Sequence, residues 1–248
     1  STTTAFAAAS VGGSAAILLG LCLGFVRQAT DSRVDMVFLA LSIGAILVLF
    51  EPLIIRAAAI SGSTIKRSEI VQPAPFSDLR LLGFSSLIGL SVLAKGPLGL
   101  VMPVLVVVPY AVLIGGWRGV KWFLRWPIVF SLILPLPWYV LAAMEGGSSF
   151  IGRQLFFENI GRFTGAAGIT QKPLWFYLPH IFEQAAPLIE LLLLFCAALT
   201  YSPFRRRFGG VLRRFEPIES AQIKFSIVWI VNLLLFFSAA SGKRASYL

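Results

Sequence analysis

The stretch SVLAKGPLGLV, from Ser91 to Val101, decides the fold. Lys95, Gly96 and Pro97 interrupt what would otherwise be one long apolar run. Because glycine and proline end helices, the stretch predicts a tight hairpin between apolar helices over Leu81–Ala94 and Leu98–Ile114. Two interpretations of Lys95 stay open. It is a helix-end charge whose side chain reaches to water, or a cation that holds an anionic group at a membrane surface.

The composition indicates that lipid is the solvent. Of 248 residues, 57% are hydrophobic and only 13% are charged, and the mean hydropathy is +0.85. Soluble domains are about 25% charged. The net charge of +10 comes from short segments between apolar runs, which is typical of membrane topology and of anionic lipid at the surface. Nucleic-acid binding, which needs a basic face on a soluble domain, is excluded.

Seven apolar runs have lengths near the roughly 20 residues that cross a bilayer. In chain order they are Ala5–Val26, Val34–Ile55, Leu81–Ala94, Leu98–Ile114, Trp126–Met144, Trp175–Tyr201 and Phe225–Ala240. The predicted fold class is therefore an all-α integral membrane protein with about seven transmembrane helices.

Lysine and arginine in the loops predict the orientation. One set of loops holds 13 of the 21 cations and is predicted to be cytoplasmic: Arg56, Lys66, Arg67, Arg80, Arg118, Lys121, Arg125, Arg205, Arg206, Arg207, Arg213, Arg214 and Lys224. The other set is predicted to face outward: Arg27, Arg33, Lys95, Arg153, Arg162, Lys172, Lys243 and Arg244. Seven spans place the two sets on opposite sides without conflict.

The outward side includes the longest predicted loop, residues 145–173. It mixes aromatic residues with Arg153, Glu158, Asn159 and Arg162, and it is too apolar for a fully solvated loop. We expect an amphipathic segment along the membrane surface. Several cations around a lipid-edged cavity at this interface would suit a lipid phosphate, because fixed positive charge stabilises it.

Four segments also resemble a known family in order and spacing. They are GLSVLAKGPLGLVMPV, LPWYVLAAMEGGSSFIGRQLFFENIGRFTG, QKPLWFYLPHI and LLLFFSAASGKRASYL, and ATDSRVDMVFLALSIGAIL matches a further stretch. The chain resembles the membrane core of the bacterial ArnT-like and PMT-like glycosyltransferases, glycosyltransferase families 39 and 83, which have the GT-C polytopic fold. The resemblance covers most of the chain from about Gln28 onward.

The resemblance implies an enzyme that moves a sugar, such as aminoarabinose or mannose, from a polyprenyl-phosphate carrier to lipid A, protein or another acceptor. It implies transfer with inversion, at the outer face of the bacterial inner membrane. Lys95, Arg162 and Lys243 are then candidates for the carrier phosphate or the polar groups of the sugar. Tyr177 and Tyr247 are candidates for hydrogen bonds in the cavity, and Asp35 for an accessory acid.

Two departures from the family pattern limit this expectation. The catalytic acidic pair of the family lies in a loop upstream of every residue here, and the family continues beyond SGKRASYL. Residues 1–248 are therefore expected to be a partial transmembrane domain, inactive by itself, whose general base is unknown. The expected partners are the donor, the acceptor and membrane lipids. No residue set predicts a metal site, and dependence on a divalent metal is left open.

Several residues keep a second interpretation. Asp35 could simply cap its helix, Arg153 could contact headgroups, and Lys243 with Arg244 could be ordinary flanking charges. A transporter or lipid flippase is the alternative function, and it predicts ionisable residues or broken helices in the middle of several spans. Glu190, Pro103 and Pro109 fit that prediction, while the clustering of the other charges at one face favours the glycosyltransferase. A structural membrane subunit is a third hypothesis.

Overall fold

The computed structural model describes residues 13–30, 34–62, 77–117, 120, 126–165, 172–198 and 217–243. In chain order the helices are α1 (Gly13–Leu21), α2 (Leu23–Thr30), α3 (Val34–Gly62), α4 (Asp78–Lys95), α5 (Leu98–Gly115), α6 (Trp126–Ile133), α7 (Leu136–Phe150), a π-helical segment (Ile151–Gly161), α8 (Arg162–Thr164), a 3₁₀ turn (Leu174–Phe176), α9 (Tyr177–Gln184), α10 (Leu188–Ala198) and α11 (Pro217–Ala239). They form two compact units. The first unit contains α1, α2, α9 and α10, and the second contains α3 to α8 and α11.

The described residues of all seven predicted spans are helical apart from Cys22, residues 134–135, residues 185–187 and Ala240, which confirms the all-α membrane class. Among the described residues, three helices are long and apolar enough to cross a membrane: Val34–Ser61, Leu98–Gly115 and Pro217–Ala239. The number rises to six if each of three bent helix pairs counts as one span. The remaining predicted span, Leu81–Ala94, lies in α4, which is 18 residues long and carries three charged residues, Asp78, Arg80 and Lys95.

The bent pairs were not predicted. The α1–α2 pair bends by 76°, α6–α7 by 44°, and the pair made of the 3₁₀ turn with α9 and of α10 by 87°. Pro135 lies in the second break and Pro187 in the third, and proline lacks the N–H that would continue the helical hydrogen bonds.

The core of the second unit lies where α3, α4, α5 and α11 meet. Phe225 of α11 is buried, and its ring makes edge contacts at centroid distances of 5.0 Å with Phe50 and 4.9 Å with Tyr110. The Tyr110 hydroxyl donates to the carbonyl oxygen of Ala221 at 2.9 Å. A buried tyrosine hydroxyl costs little free energy when it is hydrogen-bonded. This bond therefore joins α5 to α11 and leaves the Tyr110 hydroxyl paired.

The predicted hairpin at Gly96 and Pro97 is confirmed. Gly96 has φ 75°, a conformation that glycine adopts without the steric cost other residues meet, and its N–H donates to the Val92 carbonyl at 2.7 Å. One turn later Gly99 lies against the backbone of Ser91 and Val92, where a Cβ would overlap those atoms. The hairpin is therefore closed by backbone packing as well as by the turn.

A buried hydrogen bond between Ser42 and Ser91 joins α3 to α4, with 2.8 Å between the two hydroxyl oxygens. Replacing Ser42 with alanine is expected to destabilise the protein by about 1 kcal/mol, because the Ser91 hydroxyl stays buried without this partner. The measurement is the thermal midpoint in detergent. The double variant Ser42→Ala/Ser91→Ala should recover part of the loss, and additive losses would contradict this explanation.

In the first unit the breaks of two bent pairs contact each other. The Leu23 N–H, at the start of α2, donates to the carbonyl oxygen of Ala186, between α9 and α10, at 2.9 Å. A Cβ added at Gly24 would lie 2.9 Å from the Gln184 carbonyl oxygen. Arg27 and Glu183 form an ion pair at 2.5 Å nearby. An N–H at one break is therefore paired with a carbonyl at the other. Backbone groups in lipid need such partners, because no water is there to replace them.

The described part of the predicted outer loop, residues 145–173, is helical as far as Thr164. Gly147, at φ 57°, breaks the helix inside α7, and the chain continues through the π-helical segment into α8. Phe156, Phe157 and Ile160 are exposed on this segment. Its location along a membrane surface stays a prediction.

Candidate functional site

The second unit brings together two of the predicted site residues, Lys95 and Asp35. Lys95 is the last residue of α4, and Asp35 lies in the first turn of α3. The Lys95 ammonium donates to a carboxylate oxygen of Asp35, and each side chain is 25% exposed. The ammonium also lies 5.0 Å from the centroid of the Phe38 ring, a cation–π distance. The pair is partly accessible, so a ligand can approach it.

Two residues that sequence reasoning did not select also lie beside this turn. A Cβ added at Gly96 would lie 3.5 Å from the Tyr139 hydroxyl oxygen and 3.7 Å from the Asn159 side-chain amide. Tyr139 lies on α7, and its hydroxyl is 3.5 Å from the Val92 carbonyl oxygen. Tyrosine is also common at membrane–water interfaces. The sequence alone therefore does not distinguish an interfacial tyrosine from one in a functional site.

A second group of charges occupies the other end of the same helices. Arg80 forms an ion pair with Glu51 at 2.7 Å, and Arg56 lies beside Gly115 at the end of α5. Along α3, Glu51 is about 24 Å from Asp35 at 1.5 Å per residue. Arg56 and Arg80 were predicted to face inward and Lys95 outward, and they lie at opposite ends of the helices. Which end faces outward stays a prediction.

Arg162 begins α8 in the same unit as Lys95. The neighbouring Phe163 accepts a hydrogen bond at its carbonyl from the Ser241 N–H at 2.8 Å. Its ring lies 5.3 Å from the ring of Phe236. These contacts attach α8 to the end of α11.

Lys243 and Tyr177 belong to the first unit. Lys243 is 6% exposed, and its ammonium donates to the Lys172 carbonyl oxygen at 3.0 Å. Tyr177 is buried at the start of α9. The predicted site residue Tyr247 lies outside the described residues, as do Arg33 and Arg244. The predicted set is thus divided, with Lys95, Asp35 and Arg162 in one unit and Lys243 and Tyr177 in the other.

Metal ligands do not cluster in the described part of the chain: no group of three His, Cys, Asp or Glu side chains occurs there. His180 donates from Nδ1 to the Phe176 carbonyl oxygen at 2.8 Å, and its ring lies 4.3 Å from that of Phe176. His180 thus packs against the 3₁₀ turn that precedes its helix.

These features define a multi-pass α-helical membrane protein with an ion pair at the ends of two core helices. No model of a known protein family matches the chain. Curated relatives do match it, and they are named undecaprenyl phosphate-alpha-4-amino-4-deoxy-L-arabinose arabinosyl transferase. The relative from Enterobacter sp. (strain 638) is 30% identical over 171 residues, which are 68% of this chain and 27% of the relative. The relative from Pseudomonas aeruginosa (strain PAO1) is 30% identical over 172 residues, or 68% and 28%.

The predicted resemblance to the ArnT-like family is therefore confirmed, and the chain is a homologue of these transferases. It spans about a quarter of the length of the curated relatives it matches. Among solved structures, it is similar to the crystal structure of ArnT from Cupriavidus metallidurans bound to undecaprenyl phosphate. That similarity has a TM-score of 0.49 at 18% identity, over 84% of this chain and 33% of the other.

Proposed function

We propose that this chain forms part of a membrane glycosyltransferase that moves a sugar from a polyprenyl-phosphate carrier to a lipid or protein acceptor. The observation that carries the proposal is the 30% identity over 68% of the chain to transferases named for an undecaprenyl phosphate sugar. The proposed location is the bacterial inner membrane, with the reaction at the outer face. The predicted positive-inside orientation supports that face.

Lys95 is the residue of this chain best placed to bind the carrier phosphate. Its ammonium is partly exposed and lies at the helix ends opposite the Arg80–Glu51 pair. Asp35 holds the ammonium in one orientation and limits the cost of keeping a partly buried charge. When a phosphate arrives, the three N–H donors of Lys95 can bind the phosphate and Asp35 together. Arg162, Lys243, Tyr177 and Tyr247 stay proposed as residues that bind the donor phosphate or sugar.

In the proposed reaction a carboxylate outside this chain removes the proton of the acceptor hydroxyl. The hydroxyl oxygen attacks the anomeric carbon and forms the new glycosidic bond with inversion. The bond between that carbon and the phosphate oxygen breaks, and polyprenyl phosphate leaves with the electron pair. Negative charge grows on the leaving phosphate. A positioned cation such as Lys95 stabilises that charge in the transition state.

The test uses the complete gene product, purified and reconstituted into lipid vesicles. The donor is undecaprenyl-phosphate-linked aminoarabinose or mannose, and the acceptor is lipid A or a peptide. Release of undecaprenyl phosphate together with the matching mass increase of an acceptor supports the proposal. Absence of release with every donor and acceptor pair overturns it.

Substituting Asp35 with asparagine tests its accessory role. We expect transfer to fall by less than about tenfold, because the amide oxygen still accepts a hydrogen bond from Lys95. Loss of a general base would instead cost about 10²–10⁴-fold. The measurement is kcat/KM for the donor. Asp78→Asn is the matched control, because Asp78 lies in the first turn of α4 and away from Lys95. Equal effects of the two substitutions would favour the helix-cap interpretation.

A transporter or lipid flippase is the second candidate, and the three bent helix pairs favour it. Broken helices occur at the substrate sites of many transporters. Glu190 lies in the first turn of α10, next to the third break, and this position also fits the transporter. The vesicle experiment separates the two functions. Movement of the carrier lipid between leaflets without release of undecaprenyl phosphate would favour transport.

A further inference from the structure

We infer that Tyr139 and Asn159 are positioning residues for Lys95. Both lie beside the turn at Gly96, and neither was selected from the sequence as a site residue. The inference rests on the proposed function, because it assigns to these two side chains the orientation of the cation that binds the donor phosphate. It predicts that substituting either residue weakens donor binding without a general loss of stability.

Backbone hydrogen bonds hold the turn that follows Lys95. The Gly96 N–H bonds to the Val92 carbonyl, and the Gly99 N–H bonds to the Gly96 carbonyl at 2.9 Å. Gly96 faces the Tyr139 hydroxyl and the Asn159 amide, at 3.5 and 3.7 Å from the position of a Cβ. The two polar groups therefore line the side of the turn that faces α7 and the π-helical segment. The Tyr139 hydroxyl also bonds to the Val92 carbonyl, the same acceptor that the Gly96 N–H uses.

Tyr139 and Asn159 are themselves held in place. The Tyr139 hydroxyl donates to the Val92 carbonyl, which also accepts from Gly96, and its ring contacts Trp138 edge-on at 4.9 Å. Asn159 donates from Nδ2 to the Gln154 carbonyl at 2.7 Å. Residues that are held by their own hydrogen bonds and packing can keep a neighbouring functional side chain in a fixed orientation.

Lys95 is sensitive to a shift of this turn. Its ammonium lies at the end of a long side chain and must reach Asp35 on α3 and the ring of Phe38 together. A movement of about 1 Å can cost up to 10²-fold in a positioned reaction. We expect the loss of the weak Tyr139 hydrogen bond to move the turn by less than about 1 Å. We expect about a fivefold increase in KM for the donor, the effect of roughly one ordinary hydrogen bond.

The experiment compares Tyr139→Phe and Asn159→Ala with matched controls in the complete gene product. Tyr110→Phe removes a tyrosine hydroxyl that bonds to Ala221, and Asn232→Ala removes an amide that bonds to Val228. Both controls lie away from the Gly96 turn and should change thermal stability but not KM. Tyr139→Phe and Asn159→Ala should each raise KM for undecaprenyl-phosphate-linked sugar about fivefold, with kcat changed less than twofold.

The decisive measurement repeats each substitution in a Lys95→Ala background. If the residues act through Lys95, the second substitution adds less than about a twofold effect there. Additive effects, or effects no larger than those of Tyr110→Phe and Asn232→Ala, overturn the inference while the proposed function stands. A wild-type protein that transfers no sugar overturns the proposed function and this inference with it.

Discussion

Replacing Lys95 with alanine in the complete gene product is expected to lower kcat/KM for the donor about a hundredfold. The substitution removes the cation nearest the proposed phosphate position. It also leaves the Asp35 carboxylate without the ammonium it contacts, so the remaining charge would repel the phosphate. Transfer is measured in vesicles at equal amounts of folded protein.

Two controls make this result specific. Lys95→Arg keeps the positive charge and should retain more activity than Lys95→Ala, although its planar fork differs in shape from an ammonium. Lys224→Ala removes an exposed lysine of α11 and should leave transfer unchanged. If Lys95→Ala transfers sugar as fast as the wild type, Lys95 is a helix-end charge whose side chain reaches to water and does not bind the phosphate.

The largest expected effect on stability comes from Gly99→Ala. The new Cβ would overlap the backbone of Ser91 and Val92, and backbone atoms cannot rotate away as a side chain can. We expect a loss of about 3 kcal/mol, at the upper end of overpacking effects, because α4 and α5 must separate. The measurement is the thermal midpoint in detergent, together with the yield of folded protein.

Gly83→Ala is the matched control for this prediction. Gly83 is also a helical glycine, on α4, but nothing lies within 4 Å of its Cβ position. Because alanine favours helices over glycine by about 1 kcal/mol, Gly83→Ala should leave stability equal or slightly higher. A similar loss in both variants would show that close helix packing at Gly99 is not the cause.

The sequence predicted the helices well because their main signal is local. A run of about twenty apolar residues predicts a span by its length alone, and Gly96 with Pro97 marks the hairpin. The breaks were missed because counting apolar residues does not detect them. Pro135 and Pro187 were available as signals for two of them, whereas Cys22, between α1 and α2, has no such neighbour.

The site was predicted residue by residue but not as an arrangement. Lys95 and Asp35 each have a chemical reason to be selected, yet their pairing joins positions 60 residues apart. Tyr139 and Asn159 lie beside the turn because of how α7 and the π-helical segment pack, which the sequence alone does not show. Their side chains are common in interfacial segments, so only tertiary structure distinguishes them from neighbours such as Trp138.

The contact between the two breaks in the first unit has a consequence for biosynthesis. The Leu23 N–H is made long before its partner at Ala186, and the nearby pair Arg27 and Glu183 is 156 residues apart. At about 5–20 residues per second, a ribosome needs roughly ten to thirty seconds to supply that partner. An unsatisfied backbone group in lipid costs several kcal/mol. Until α9 and α10 are made, we expect water or an insertion protein to satisfy this N–H of α2.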